Sequence, residues 1–265
     1  MITLNFGLFW SGSKLSYLRY LTFKTLRHFH PDAPIQLYVA NECKKDGYKW
    51  QDEKQDFESE LEGKDYLEDL EELNVEIIHT DKFNKYQPNY ASDFFRWDYL
   101  KEGKFGWYLD TDQIILKPFN TLNLDCDLIC SIYSAKSCGV YSPVGCIGAS
   151  KGSEVVEWID KLLPQYLRED DYNSAGPWMF LSVIQMRKWK DRIVNVPSNI
   201  FYPIPESYLV PDIYDGSFNI SDESYAIHWY GGHPESQKFN KKYTEEFAKT
   251  SNDTISRFLR EKEII

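Results

Sequence analysis

The sequence predicts an α/β fold, a Rossmann-like sheet flanked by helices in a single domain. Three observations point there. The chain opens strand, helix, strand, with a turn at the carboxyl end of the first strand, which is how the nucleotide-binding half of a doubly wound sheet begins. Apolar runs of strand length recur between stretches of helical periodicity, with no internal repeat and no low-complexity linker. A chain of 265 residues with 42% hydrophobic and 27% charged content is ordinary for one domain with a substantial core.

Ile2 to Trp10 reads as a buried first strand, and Ser11 to Ser13 as the turn after it. Ser13 is the N-cap expected for a helix over Leu15 to His28, whose inner face comprises Leu15, Leu18, Leu21 or Thr22, Thr25 and Leu26. His28, His30 and Pro31 end that helix, and Pro34 precedes a second strand at Ile35 to Ala40. Lys44 to Glu72 is the most polar stretch and reads as one or two inserted surface helices with a solvated acidic face. Val75 to His79 is a third strand. Tyr90 to Leu100 is a helix, apolar or aromatic around most of its circumference, and strands follow at Gly106 to Leu109 and Gln113 to Leu116. Asp127 to Tyr133 and Gly145 to Ala149 are further strands. A helix capped by Ser153 runs to Tyr166, with Pro164 kinking its last turn. Asp170 to Pro177 is a loop before a helix at Trp178 to Met186, and Tyr225 to Tyr230 is an aromatic late strand.

Chemistry concentrates after the strand Gly106 to Leu109, at Asp110-Thr111-Asp112. In an extended chain alternate side chains share a face, so Asp110 and Asp112 point together while Thr111 turns away. Two carboxylates so placed can hold one hard divalent ion such as Mg²⁺ or Mn²⁺, and an ion with open positions neutralises a departing diphosphate. On the preceding helix, Asp93 and Arg96 interrupt an otherwise apolar surface one turn apart. Burial obliges them to pair with each other or to meet a polar ligand together.

The string Ala91-Ser92-Asp93-x-x-Arg96, then Leu100, Tyr108-Leu109-Asp110-Thr111-Asp112 and Leu116-Lys117-Pro118, resembles the core signature of glycosyltransferase family 32. That family includes the yeast initiating mannosyltransferases and capsular-sugar transferases, with the glucosylating domains of large clostridial toxins as relatives. Phe9-Trp10-Ser11-Gly12, Val144 to Ser150, Ser174-Ala175-Gly176-Pro177, Phe201-Tyr202-Pro203 and Tyr225-Ala226-Ile227-His228-Trp229 resemble further family motifs in the same order. Gly103 and Gly106 are spread wider than the family's Gly-Gly-x-Tyr turn, so a longer turn is expected there.

The resemblance implies a GT-A type mixed sheet, with residues 1–120 forming the nucleotide-sugar-binding half and residues 121–265 the acceptor-side half and a C-terminal flap. It implies a metal-dependent transferase that moves a hexose from a nucleoside diphosphate sugar to a hydroxyl acceptor such as a glycan, with retention of configuration. An aromatic opening strand suits a pyrimidine, which favours a UDP-sugar. Asp110, Asp112 and His228 are the expected metal ligands. A neutral imidazole suits Mn²⁺ better than Mg²⁺; the other reading of His228 is a strand histidine bonded to backbone. Asp93, Arg96 and Asp110 are the expected catalytic residues, with Arg96 stabilising charge as the glycosyl bond breaks. Donor contacts are expected from Trp10, Asp93, Arg96, Asp110, Thr111, Asp112 and Lys238, with Trp10 either stacking on the base or filling the core. Asp171, Asn173, Gly176, Trp178 and His233 are the acceptor-side candidates. His233, Ser236 and Lys238 are expected in a mobile flap that closes on phosphate.

Bulk properties narrow the alternatives. A net charge of −11 disfavours a polyanionic acceptor such as modified nucleic acid, because phosphate contacts draw on Lys and Arg. A nucleotidyltransferase would want a basic glycine-rich loop after the first strand, and Phe9 to Lys14 offers one lysine and one glycine. A non-catalytic nucleotide-sugar-binding protein is the other class compatible with the same residues. No run of eighteen apolar residues and no basic leader is present, and Cys43, Cys126, Cys130, Cys138 and Cys146 form no Cys-x-x-Cys pair. Reduced thiols and a cytoplasmic protein are the expectation.

Overall fold

The computed structural model of the protein describes residues 3–40, 42–44, 63–102, 105–135, 139–204 and 209–265. The strands foreseen in the first half pair in parallel. β1 (Leu4–Trp10) lies between β2 (Ile35–Ala40) and β4 (Phe105–Leu109), and β3 (Val75–Thr80) adds outside β2. Beyond β4, β9 (Cys146–Ala149) runs antiparallel to both β4 and β6 (Leu128–Ser131), and β10 (Ile193–Val196) closes the edge parallel to β6. The described strands thus make one mixed seven-stranded sheet in the order β10-β6-β9-β4-β1-β2-β3.

Both faces of this sheet are covered, which is why its central strands read as continuous apolar runs. On one face α1 (Tyr17–Phe29) packs Leu18, Leu21 and Leu26 against Phe6, Leu8, Trp107 and Leu109. On the other, α2 (Pro88–Glu102), α3 (Glu154–Tyr166) and α4 (Met179–Ile184) bury Phe95, Trp97, Val156, Ile159 and Phe180 with Phe9 and Tyr108. Shorter helices α5 (Ser198–Phe201) and α6 (Val210–Asp215), then α7 (Pro234–Lys242), α8 (Glu245–Thr250) and α9 (Thr254–Glu261), extend the α1 side.

Several boundaries differ from the sequence expectation for identifiable reasons. Helix α1 is capped by Ser16, whose hydroxyl accepts from the Arg19 N–H at 3.2 Å, rather than by Ser13. Asp127 to Tyr133 is not one strand. It breaks at Ile132, whose N–H donates to Asn195 Oδ1 at 2.7 Å, and Tyr133 begins a separate hairpin of β7 (Tyr133–Ala135) and β8 (Gly139–Tyr141). The helix expected from Trp178 starts instead with a π turn at Ser174–Trp178, widened at Gly176 and Pro177, before α4. Of the polar stretch Lys44 to Glu72, residues 45–62 lie outside the described residues, and the rest holds a short 3₁₀ helix at Glu68–Leu73. The turn at Gly103 also lies outside them.

Strand β5 (Gln113–Ile115) does not rejoin the main sheet, because the chain turns at Asp110 to Asp112. It pairs antiparallel with β11 (Ala226–His228), which sets His228 opposite Gln113. Its other edge is satisfied by α1. Thr22 Oγ1 donates to the Thr111 carbonyl at 2.8 Å and accepts from the Gln113 N–H at 3.3 Å, and Thr25 Oγ1 accepts from the Ile115 N–H at 3.1 Å. This explains two threonines on an otherwise apolar helix face: they stand in for a strand neighbour. Cys126, Cys130 and Cys146 are free thiols, and Cys138 lies outside the described residues. Among the described residues no helix is long and apolar enough to cross a membrane.

One buried histidine ties fold stability to pH. His30 is 6% exposed, and its Nε2 accepts from the Phe119 N–H at 3.2 Å. Burial, reinforced by nearby Arg27, pushes its pKa from 6.5 down to about 4. Below pH 6.5 the unfolded chain takes up a proton that the folded chain refuses until about pH 4, so this residue costs stability as pH falls through that window, by up to about 3 kcal/mol. Urea unfolding between pH 7 and 4 is expected to show a shallower pH slope for His30→Gln, which keeps the acceptor without the titration. An unchanged slope would count against this role.

Candidate metal and nucleotide-sugar site

A cavity of about 500 Å³ opens at the carboxyl ends of β1 and β4, where open α/β sheets bind ligands. Its floor is the turn after β4. Asp110, Asp112 and His228 each bring one ligand atom to a common point, all within 4.8 Å of one another. His228 Nε2 stands 3.0 Å from Asp112 Oδ1 and 3.7 Å from Asp110 Oδ2. Yet neither ring nitrogen makes a hydrogen bond of good geometry among the described residues, although both are buried. Two carboxylate oxygens and an imidazole nitrogen brought this close together are the donor set a divalent cation takes, so these residues fit a metal ion.

Electrostatics agrees with that geometry. Burial alone would lower the His228 pKa, but Asp112 and Asp110 outweigh it and lift the imidazole to about 9. Burial likewise opposes ionisation of Asp112, and His228, Arg19 and the Gly231 N–H, which donates to Asp112 Oδ2 at 2.7 Å, hold the carboxyl well below the usual carboxylate range. Without a metal the anionic pair is satisfied by a proton on His228. Asp110 is the most exposed of the three side chains, at 30%. Gly145 leaves room for it, because a Cβ there would collide with the Asp110 carboxylate.

Beside this cluster lies a buried charge network. Arg96, 2% exposed, binds Asp93 through Nη1 and places Nη2 3.6 Å from Asp110 Oδ1. Its guanidinium stacks on the Tyr108 ring, 4.3 Å from the centroid, and the Tyr108 hydroxyl donates to Asp110 Oδ1 at 2.5 Å. Burial raises the Asp93 pKa to about 6 despite Arg96. Burial also works against the charge on Arg96, but Tyr108, Asp93 and Asp110 more than offset this and keep it cationic. The two readings of Asp93 and Arg96 therefore coexist, since they pair with each other and both line the cavity. Gly176 lets the π turn approach: a Cβ there would come within 2.7 Å of Asp93 Oδ1.

Trp10, Thr111, Asn173, Trp178 and His233 also line the cavity. Trp10 is only 7% exposed, and one face of its ring is covered by the Arg19 guanidinium at 4.6 Å, which leaves it little surface for stacking on a base. Gly176 sits behind Asp93 rather than on the cavity surface, and Asp171 pairs with Arg168 away from it. The segment expected as a flap is the start of α7. His233 Nδ1 caps that helix by accepting from the Glu235 N–H, and Ser236 is buried with its hydroxyl donating to the Trp229 carbonyl at 2.6 Å. Lys238 is exposed, pairs with Glu235 at 2.6 Å, and does not line the cavity. The helix thus holds the Lys238 side chain beside Glu235, one turn earlier, rather than at the cavity.

Arg19 is the residue that sequence reading missed. It lies between the rings of Trp10 and Trp229, at 4.6 and 5.3 Å, and donates to Thr111 Oγ1 at 2.8 Å. One side chain thus joins the ends of β1, the Asp110–Asp112 turn and the segment after β11. The signal was available in helix phase: position 19 is four residues after Leu15 and three before Thr22, on the inner face of α1. Tyr108 was legible too, two residues before Asp110 and on the same side of β4.

No protein-family model matches the chain, and no curated protein matches its sequence. Among solved structures it is similar to the PaToxG glycosyltransferase, with 16% identity and a TM-score of 0.51 over 98% of this chain and 87% of that one. The fold is that of GT-A glycosyltransferases. Weaker likenesses include GlyE, a glycosyltransferase of Streptococcus pneumoniae TIGR4 (14% identity, TM-score 0.49, 97% of this chain and 64% of that one). Another is the galactosyltransferase LgtC, solved with donor and acceptor sugar analogues (14% identity, TM-score 0.40, 91% and 98% of the two chains).

The buried network of this GT-A chain makes a test independent of activity. Replacing Arg96 by Met keeps the volume but leaves Asp93 without its partner in the interior, an arrangement that costs about 3–5 kcal/mol. Arg96→Met is expected to unfold at correspondingly lower urea concentration, and the double variant Asp93→Asn, Arg96→Met to recover part of the loss. Equal stability of Arg96→Met and the native chain would contradict the network described.

Proposed function

We propose that this chain is a metal-dependent glycosyltransferase that moves a hexose from a nucleoside diphosphate sugar, with a UDP-sugar preferred, to a hydroxyl acceptor with retention of configuration. The observation that carries the proposal is the convergence of Asp110, Asp112 and His228 on the floor of a cavity at the strand ends. The GT-A fold and the family 32 resemblance of the Ala91 to Asp112 block support the same reading. Residues 1–120 are assigned to the donor side and residues 121–265 to the acceptor side.

In this reading Asp110, Asp112 and His228 hold Mn²⁺, preferred over Mg²⁺ because of the imidazole. The ion, when bound, neutralises charge developing on the diphosphate leaving group. Asp112 is fixed by the Gly231 N–H, so Asp110, the more exposed acid, faces the donor. Arg96, oriented by Asp93 and stacked on Tyr108, offers a preorganised positive charge next to Asp110, where negative charge builds as the glycosyl bond breaks. Asp93 is positioned by its pairing to accept from donor hydroxyls at the cavity wall. Arg19 and Trp10 border the nucleotide side together with Thr111. A cytoplasmic protein, with Cys126, Cys130 and Cys146 as free thiols, belongs to the same reading.

Release of nucleoside diphosphate from UDP-glucose, UDP-galactose, UDP-N-acetylglucosamine and GDP-mannose, measured with Mn²⁺ and no acceptor, tests this. At least one donor is expected to be hydrolysed, with Asp112→Asn slower by about 100-fold or more and activity abolished by chelation and restored by Mn²⁺. Full turnover by Asp112→Asn, or after exhaustive chelation, would overturn the proposal.

A further inference from the structure

Gln113 immediately follows Asp112, is fully buried and does not line the cavity. It faces His228 across the β5–β11 pair. The Trp229 N–H donates to the Asp112 carbonyl at 3.0 Å and the Leu116 N–H to the Tyr225 carbonyl at 2.8 Å, so the bonded rungs of this antiparallel ladder are Asp112 with Trp229 and Leu116 with Tyr225. By alternation Gln113 and His228 form a non-hydrogen-bonded pair, the kind in which opposing side chains stand closest and share one face. A buried amide needs partners at both ends. Gln113 Nε2 donates to the Gly145 carbonyl, which also accepts from the Asp110 N–H at 2.8 Å. A carbonyl can only accept, so this bond decides which end of the amide is nitrogen and leaves Oε1 as the other end. Gln113 Oε1 is buried without a hydrogen-bond partner among the described residues, and so is His228 Nδ1. An uncommitted acceptor and an uncommitted ring nitrogen thus occupy facing positions of one strand pair.

We propose that Gln113 is a positioning residue of the metal site, its Oε1 accepting from His228 Nδ1–H when Nε2 holds the cation. This deepens the metal-dependent transferase reading and rests on its metal site. An imidazole that gives its Nε2 lone pair to an ion carries its hydrogen on Nδ1, and a buried N–H needs an acceptor. That acceptor fixes the tautomer and the rotation of the ring, and with them the direction of the Nε2 lone pair. The other polar neighbours of the ring suit the task less well. Tyr230 meets His228 edge to face with centroids 4.4 Å apart, but its hydroxyl is committed to the Ile204 carbonyl at 2.6 Å. Tyr202, 5.6 Å from His228 between centroids, has a buried hydroxyl without a partner among the described residues, yet a phenol that accepts from Nδ1 still has its own hydrogen to place. An amide oxygen only accepts. An amide also suits the charge of the site, since a carboxylate at position 113 would add a buried negative charge beside Asp110 and Asp112 and could not donate to Gly145. Through its two ends Gln113 joins the His228 ring to the carbonyl that holds the Asp110 backbone, so one side chain sets two ligands from different segments relative to each other.

The test is NMR on the full chain with ¹⁵N-labelled histidine and Zn²⁺, a diamagnetic ion that imidazole binds, with His228→Ala to assign the signal. In the native chain Zn²⁺ is expected on His228 Nε2, with an Nδ1–H that exchanges slowly with water. Gln113→Met keeps the length of the side chain and removes both ends of the amide. It is expected to lose this slow Nδ1–H, and its Mn²⁺ affinity, read from the electron paramagnetic resonance signal of free Mn²⁺, is expected to fall by about ten-fold or more. Tyr202→Phe is expected to keep both. Coordination through Nδ1, or a rapidly exchanging Nδ1–H in the native chain, would overturn the inference, and that arm stands even if a variant fails to fold. Weaker Mn²⁺ binding by Gln113→Met with the Nδ1–H unchanged would assign the loss to the Gly145 bond alone and overturn it, as would loss of the Nδ1–H in Tyr202→Phe and not in Gln113→Met. The two readings fail separately: donor hydrolysis with an Nδ1–H indifferent to Gln113 leaves the transferase and removes the positioning role, whereas a Gln113-dependent Nδ1–H on a metal-bound His228 without any donor hydrolysis leaves the role and removes the transferase.

Discussion

Three carboxylates in one cleft constrain everything around them. Two like charges 4 Å apart repel by about 4 kcal/mol at the effective dielectric of a protein surface, and more when water is excluded. Asp93, Asp110 and Asp112 meet this in different ways. Asp93 is paired with Arg96, and Asp112 is held by His228, a backbone N–H and the field of Arg19. Asp110 takes one hydroxyl from Tyr108, with Arg96 Nη2 and His228 Nε2 no nearer than 3.6 and 3.7 Å, and it is the most exposed. Compensation thus thins from the interior toward the cavity, which leaves the least satisfied acid where a ligand would meet it.

The backbone fixes this arrangement with little tolerance. Pairing of β5 with β11 sets His228 opposite Gln113, and the Trp229 N–H donates to the Asp112 carbonyl at 3.0 Å, so the ladder continues into the acidic turn itself. A slip of one residue would present buried Ile227 to the carboxylates and turn His228 into the core. The Thr22 and Thr25 hydroxyls lock β5 from the opposite edge, and Arg19 bridges the same turn to β1. Helix α1 therefore positions the acidic turn while burying its leucines.

Much of this was legible in the sequence because it is local. The parallel strands announce themselves as apolar runs, and Asp93 and Arg96 stand out as charges on an apolar helix. Asp110 and Asp112 were paired by strand alternation, and they do converge, but the reason is different: they lie in the turn after β4, and their convergence is set by hydrogen bonds to Gly145 and Gly231. What sequence could not give is long-range. Nothing in Asp127 to Tyr133 reveals that Asn195, far along the chain, caps Ile132 and splits the strand, so the hairpin was invisible. Helix phase marks Arg19 as a charge on an inner face, but its role needs the long-range placement of Trp10 and Trp229 on either side of it.

Under the transferase reading proposed above, the charge pattern favours a cation over side chains alone. Among the described residues, the Asp, Glu, Lys and Arg side chains lining the cavity are three carboxylates and two guanidiniums, one net negative charge while His228 is neutral, in a protein that is itself strongly acidic. A proton on His228 brings this only to zero. An anionic diphosphate gains no attraction from either state, and Arg96 is already committed to Asp93. A divalent ion that displaces the His228 proton changes the sign of the cavity to net positive at the point where the ligand arrives. In that reading the surrounding acids would concentrate the ion, so the same negative charge that would repel an anionic donor in its absence would prepare the site for it.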